Sequence, residues 1–288
     1  MKSNISVLTV LLACLSFPVG FPVAAFDFGT LNFDKALDAA KKVRQATSEI
    51  SEPQEITLGE GIASNLLGAA PLLKNQRVQE YVNKVGRWLS LHTERPDLPW
   101  HFAVLEDNDI NAFAAPGGYI FVTNGLFRRM KSEAELAGVL AHEMSHVLKK
   151  HHLQAIKKSA RTELISDFAE EAMDQKDANP ALKKLVSAGT EVYARGLDKD
   201  DEFEADRMGV VIAARGGYDP YGLPAVLQTL QGLNAKDSTL ALMFKTHPAL
   251  DDRLGLLDKL MSGSFDRFES QPDLAPRFMK VVDSSEAR

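Results

Sequence analysis

Residues 142–146 read His-Glu-Met-Ser-His, and no other segment restricts the fold of the chain so tightly. Two histidines four residues apart act together only on a helix, where four residues turn the chain by about 400° and set both imidazoles on one face. The flanks agree. Ser132 and Glu135 have capping-box spacing, serine at the N-cap and glutamate three residues on, and predict a helix running to about Lys150. Leu136, Val139, Leu140, Val147 and Leu148 make it apolar on more than one side, so it should be central and buried. Burying two histidines and a glutamate together is costly without a cation to join them. The segment therefore reads as a grip for one Zn²⁺ per chain, ~2.0–2.1 Å from each nitrogen, with Glu143 placed to take a proton from water.

Two histidines do not complete a zinc site. Downstream, Glu202-Phe203-Glu204-Ala205-Asp206 opens a helix that begins in the acidic run Asp198, Asp200, Asp201, suited to the positive end of its dipole, and stops at Gly216-Gly217. Glu202 and Asp206 share a face. Glu202 supplies a carboxylate ligand and Asp206 an acceptor that fixes the tautomer of a ligand imidazole. Glu204 is expected to point away and lie exposed. His92, His101, His151 and His152 have no partners at ligand spacing and read as surface or packing residues. The basic stretch from Lys149 to Arg161 reads as a solvated helix face.

Elsewhere Val78, Tyr81, Val82, Val85 and Leu89 give one apolar helix face. Trp100–Leu105, Ile110–Ala115 and Tyr119–Thr123 read as strands, the last two joined by Pro116-Gly117-Gly118. Asn124-Gly125 reads as a turn and Asp107-Asn108-Asp109 as a loop. Further helices are expected around Phe33–Val43 (closed by Pro53), over 153–195 with a break at Asp174–Pro180, after an Asp219-Pro220 cap, and over Asp251–Met261. A loose polar tail follows from Ser262. Many helices around a small three-stranded sheet place the chain in the α+β class.

At the start, Lys2, the apolar stretch Ile5–Leu15, the breakers Pro18, Gly20 and Pro22, and small residues Val23-Ala24-Ala25 form a secretory signal peptide over 1–25, cut before Phe26. Leu11-Leu12-Ala13-Cys14 offers the rival of a lipoprotein leader, and an uncleaved anchor is a third reading. Cys14 is the one cysteine, which rules out an internal disulfide or a Cys-built metal site. A net charge of −6 without a basic tail argues against nucleic acid. No run after residue 26 approaches the ~18 apolar residues of a spanning helix. Residues 26–288 are expected to form one domain, with a core at about 58–260.

Asn111-Ala112-Phe113-Ala114-Ala115-Pro116-Gly117-Gly118, then Val139 through His146, then Glu202 through Asp206 resemble metallopeptidase family forty-eight, the family of HtpX and the CAAX prenyl proteases. Thr246-His247-Pro248 followed by Arg253 resembles its soluble periplasmic branch. The resemblance runs from about Leu58 to Leu260, and its motifs in order are highly specific. It implies a gluzincin fold with His142, His146 and Glu202 on zinc, Glu143 as base and Asp206 in support. It also implies a cleft-edge strand at Ala112, Phe113 and Ala114 that pairs with extended substrate, and a His247 that approaches the metal. His247 then acts as an oxyanion stabiliser or as a latent fourth ligand. The spanning helices of the prenyl proteases and the helical repeats of some soluble members are missing, so a stand-alone catalytic domain is expected.

These readings converge on a periplasmic zinc endopeptidase acting on unfolded or damaged envelope proteins, with membrane association only if Cys14 is lipidated. A non-catalytic chaperone or assembly factor using the same cleft is the alternative, and a zinc hydrolase of non-peptide bonds a third. Glu143 favours the enzyme, since a pure binder needs no base beside the metal.

Overall fold

The computed structural model describes residues 50–167, 195–233, 238–268 and 270–286. The signal peptide, Cys14, Phe26, the predicted Phe33–Val43 helix and the Asp174–Pro180 break lie outside them. Helices α1 (Glu52–Ala69) and α2 (Gln76–Ser90) come first. Pro53 does not close a helix; it sits in the first turn of α1, where its missing N–H costs nothing. In α2 the predicted face is buried through Val78, Val82, Val85 and Leu89, and Asn75 caps the helix by accepting from the Val78 N–H at 3.2 Å.

Strands β1 (His101–Leu105), β2 (Ala112–Ala115) and β3 (Tyr119–Thr123) form a sheet in the order β1-β3-β2. β1 runs parallel to β3, and β2 antiparallel to it. The β2–β3 turn works because Gly117 and Gly118 take φ of 79° and 99°, where a Cβ would clash. Asn124-Gly125 is not a turn. Thr123 accepts from the Leu126 N–H and caps a short helix, α3 (Asn124–Phe127).

Helix α4 (Glu133–Leu148) is the hub, with every residue but Leu148 buried. Only half of its capping box forms. Ser132 Oγ accepts from the Glu135 N–H at 3.1 Å, but the Glu135 carboxylate accepts from Lys131 N–H. At its first residue, buried Glu133 accepts from the hydroxyls of Tyr81 and Tyr218 and from Arg277. After α4, Lys150 takes a left-handed φ of 60° and turns the chain into α5 (His151–Asp167).

Helix α6 (Lys199–Arg215) packs along α4. Gly209 permits this approach, since a Cβ there would stand 3.1 Å from the Cα of His142. Asp219-Pro220 does not start the next helix. Asp219 Oδ1 accepts from the Tyr221 N–H in a turn, and α7 begins at Gly222 and ends at Gln231. α8 (Ala241–Thr246) and α9 (Leu250–Met261) follow. The chain beyond Ser262 is not a loose tail. α10 (Ala275–Glu286) buries Phe278, Val281 and Val282 against the core. A buried phenylalanine contributes roughly 1.5–3 kcal/mol, enough to dock a short segment that also brings Arg277 to Glu133. The α+β class holds, mostly helical with one small sheet beside α4. Among the described residues no helix is long and apolar enough to cross a membrane.

Candidate active site

His142 and His146 project from the same face of α4, with their Nε2 atoms 3.1 Å apart. Glu202, brought over them by α6, places Oε2 3.6 Å from His142 Nε2 and Oε1 3.5 Å from His146 Nε2. Two donors held tetrahedrally at ~2.05 Å from one ion stand about 3.3 Å apart, so these separations fit a shared zinc-sized cation. His247 closes the group, with Nδ1 3.1 Å from Glu202 Oε2. Donor atoms of the four residues all lie within 4.8 Å of one another, and all four residues are buried. Burial holds the His146 imidazole neutral, well below its ordinary range, which is the form that binds a metal. Burial also works against ionising Glu202, yet His247, His142 and Arg253 outweigh it and hold that carboxyl well below its ordinary range. Burial works against charging His142 and His247 too, but Asp206 and Glu202 outweigh it at His142 and raise that ring to about 9, and Glu202 raises His247, so zinc would displace protons from these rings to obtain its neutral nitrogen donors.

The loop that carries His247 is strained. Ala249 takes φ 65°, which costs a residue with a Cβ roughly 1–2 kcal/mol, and the reversal from α8 to α9 depends on it. His247 Nε2 then lies 3.4 Å from the Ala112 carbonyl and 3.7 Å from Glu143 Oε1. Glu143 is buried, its Oε2 accepts no hydrogen bond from any described residue, and burial raises its carboxyl above the usual range. Asp206 Oδ1 lies 2.9 Å from His142 Nδ1.

The Ala112 carbonyl faces His247 because of the strand's phase. Asn111 accepts from the Thr123 N–H, so in this antiparallel ladder Phe113 turns its backbone groups toward β3 while Ala112 and Ala114 turn theirs away. Among the described residues β2 is an edge of the sheet beside α4.

Four residues have larger parts than the sequence indicated. Arg253, noted above only as part of a motif, is 2% exposed and grips Asp206 with two bonds of 2.7 Å, while its Nη1 lies 2.9 Å from Glu202 Oε2. His151 is not a surface residue; it is buried, with Nδ1 3.0 Å from His146 Nδ1. His152 is also buried and packs on His146 edge-on, so the basic stretch is not wholly solvated. Glu204 does point away from the donor group. It is partly exposed, but Oε2 lies 3.2 Å from His151 Nε2 and Oε1 2.7 Å from Lys149 Nζ. His101 is exposed and stacks on Tyr119, and half-buried His92 meets Trp88 edge-on.

Residues 73–261 match the family model of Peptidase family M48. The chain belongs to that family. Among its M48 relatives is the beta-barrel assembly-enhancing protease of Escherichia coli (strain K12), 32% identical over 214 residues, 73% of this chain and 44% of that protein. The putative beta-barrel assembly-enhancing protease of Vibrio cholerae is 30% identical over the same length. Mitochondrial metalloendopeptidase OMA1 of Arabidopsis thaliana is 27% identical over 187 residues, 65% of this chain and 36% of that protein. The chain thus spans less than half the length of these relatives. The M48 match takes in every residue of the buried donor group.

Proposed function

We propose that this M48 chain is a zinc-dependent endopeptidase that cleaves extended segments of unfolded or damaged envelope proteins. The observation that carries this reading is the convergence of His142, His146 and Glu202 at zinc-ligand spacing, with Glu143 buried beside them. Zinc held there supplies Lewis acidity toward a peptide carbonyl and acidifies water. Glu143 takes the proton of the attacking water and returns it to the leaving nitrogen. Asp206, held by Arg253, keeps the His142 ring oriented. The edge of β2 at Ala112, Phe113 and Ala114 aligns an extended backbone, which selects unfolded chains over folded ones.

His247 is assigned the latent role. An imidazole among the donors, touching both Glu202 and the Ala112 carbonyl, occupies the place a substrate needs and leaves when its loop moves. His247→Ala then raises basal cleavage of unfolded casein; a drop of ~10²-fold with zinc retained would assign it to oxyanion stabilisation instead.

The envelope setting rests on the leader over 1–25 and on the E. coli relative, whose name ties that protein to β-barrel assembly. Residues 26–288 then form the exported protein, and an intact mass beginning at Phe26 supports export as a soluble periplasmic enzyme. A lipidated Cys14 moves it to a membrane surface. The central experiment is hydrolysis of unfolded casein with and without chelator. Cleavage that stops on chelation and returns with zinc is expected. Cleavage that survives chelation overturns the metal, and casein held but never cut replaces the enzyme with a chaperone.

A further inference from the structure

His146 must present a lone pair at Nε2 if it is to bind a metal beside His142, so its proton must sit on Nδ1. That N–H points into a fully buried site, where an unpaired donor is costly. The acceptor at hydrogen-bond distance is Nδ1 of His151, 3.0 Å away. For His151 Nδ1 to accept, its own proton must sit on Nε2. That atom lies 3.2 Å from Glu204 Oε2 and 3.7 Å from Asp201 Oδ1. A carboxylate can only accept here, so the anion at the end of the chain selects the tautomer of both rings in turn.

We propose that His151 and Glu204 are positioning residues that lock His146 in its metal-binding tautomer and orientation. The inference rests on the zinc site proposed above. It gives His146 a counterpart to Asp206 at His142: each imidazole turns Nε2 to the shared point, with Asp206 Oδ1 2.9 Å from His142 Nδ1 and His151 Nδ1 3.0 Å from His146 Nδ1. The routes differ. Asp206 is buried and clamped by buried Arg253, whereas Glu204 is partly exposed and held by the Lys149 ammonium at 2.7 Å. The turn after α4 makes the second route possible. Lys150, at φ 60°, reverses the backbone so that His151 folds back under the helix end that carries His146.

A buried ring could also serve only as packing, and the test separates the two roles. Zinc affinity is measured by chelator competition on the whole protein and on His151→Leu, His151→Asn and Glu204→Ala. Melting points of the metal-free forms and visible spectra of the cobalt forms are taken alongside. Leucine keeps bulk and removes the acceptor, and affinity should fall ~10–100-fold, as for lost partners of ligand histidines. Asparagine puts Oδ1 near the place of Nδ1 and should restore most of the affinity and the wild-type cobalt spectrum. Glu204→Ala, at a partly exposed position, should weaken zinc by ~10-fold, the low end of that range. Zinc binding by His151→Leu as tight as wild type, or equal losses for Leu and Asn with unchanged metal-free melting points, overturns the inference. Should His151→Leu fail to fold, Glu204→Ala decides, and unchanged affinity overturns it. A wild-type protein that takes up no zinc overturns the metal site and this inference together; tight wild-type binding with undisturbed variants overturns this inference alone.

Discussion

Helix α4 buries three carboxylates, and two of them, Glu133 at its start and Glu143 in its second half, are treated differently. At Glu133 both oxygens are engaged, Oε1 by Tyr218 and Arg277, Oε2 by Tyr81 and Arg277. At Glu143, Oε2 accepts nothing from the described residues, and Oε1 has a 3.7 Å contact with His247. An unsatisfied buried acceptor costs about 1–3 kcal/mol, so a fold tolerates few of them. The satisfied carboxylate fastens α2, α10 and the α6–α7 turn to one helix end. The unsatisfied one keeps a lone pair available where the proposed chemistry needs a base. One residue type on one helix thus serves as fastener or reactant according to how completely its neighbours answer it.

The comparison is broken most sharply by removing charge from the reactive carboxylate. Glu143→Gln should lower turnover of unfolded casein by ~10²–10⁴-fold while zinc content and melting temperature stay at or above wild type. Near wild-type hydrolysis would show that the open carboxylate is not the base. Arg253→Leu comes next. Removing one partner of a buried pair leaves Asp206 and Glu202 under-compensated, and should cost about 3–5 kcal/mol in chemical denaturation. A loss below 1 kcal/mol would mean that the ion cluster contributes no net stability. Glu133→Leu should cost about 2–3 kcal/mol, because two tyrosine hydroxyls each lose a partner worth about 1 kcal/mol or more. Turnover per folded molecule should hold; a large kinetic defect would erase the distinction between the two carboxylates. The smallest effect is a gain. Lys150→Gly relieves the left-handed φ after α4 and should stabilise by about 1 kcal/mol. The contact it removes, from half-exposed Lys150 Nζ to buried Glu55 at 3.6 Å, is worth little because Arg95 and the Gly117 N–H still hold that carboxylate.

Much of α4 and of the donor group was legible because the relevant spacings are local. His142, Glu143 and His146 are related by helix period alone, and so are Glu202 and Asp206. The face of α2 and the glycine turn between β2 and β3 follow equally short rules. The C-terminal helix was missed because its polar surroundings hide three buried residues, Phe278, Val281 and Val282, whose partners lie far away in sequence. His151 escaped for a different reason. It follows a left-handed residue, so helix periodicity counted from His146 does not apply to it.

By itself, then, the sequence determined which side chains share a helix face and therefore which can act as a pair, along with the α+β class and the family those motifs resemble. Only the tertiary structure decided that α6 approaches α4 closely enough at Gly209 to set Glu202 over both histidines. It also decided that Arg253 reaches in from α9 to hold Asp206, and that His151 and Glu204 stand behind His146. Periodicity is a property of one chain segment, whereas these contacts join segments whose distance is fixed only when the whole core is packed.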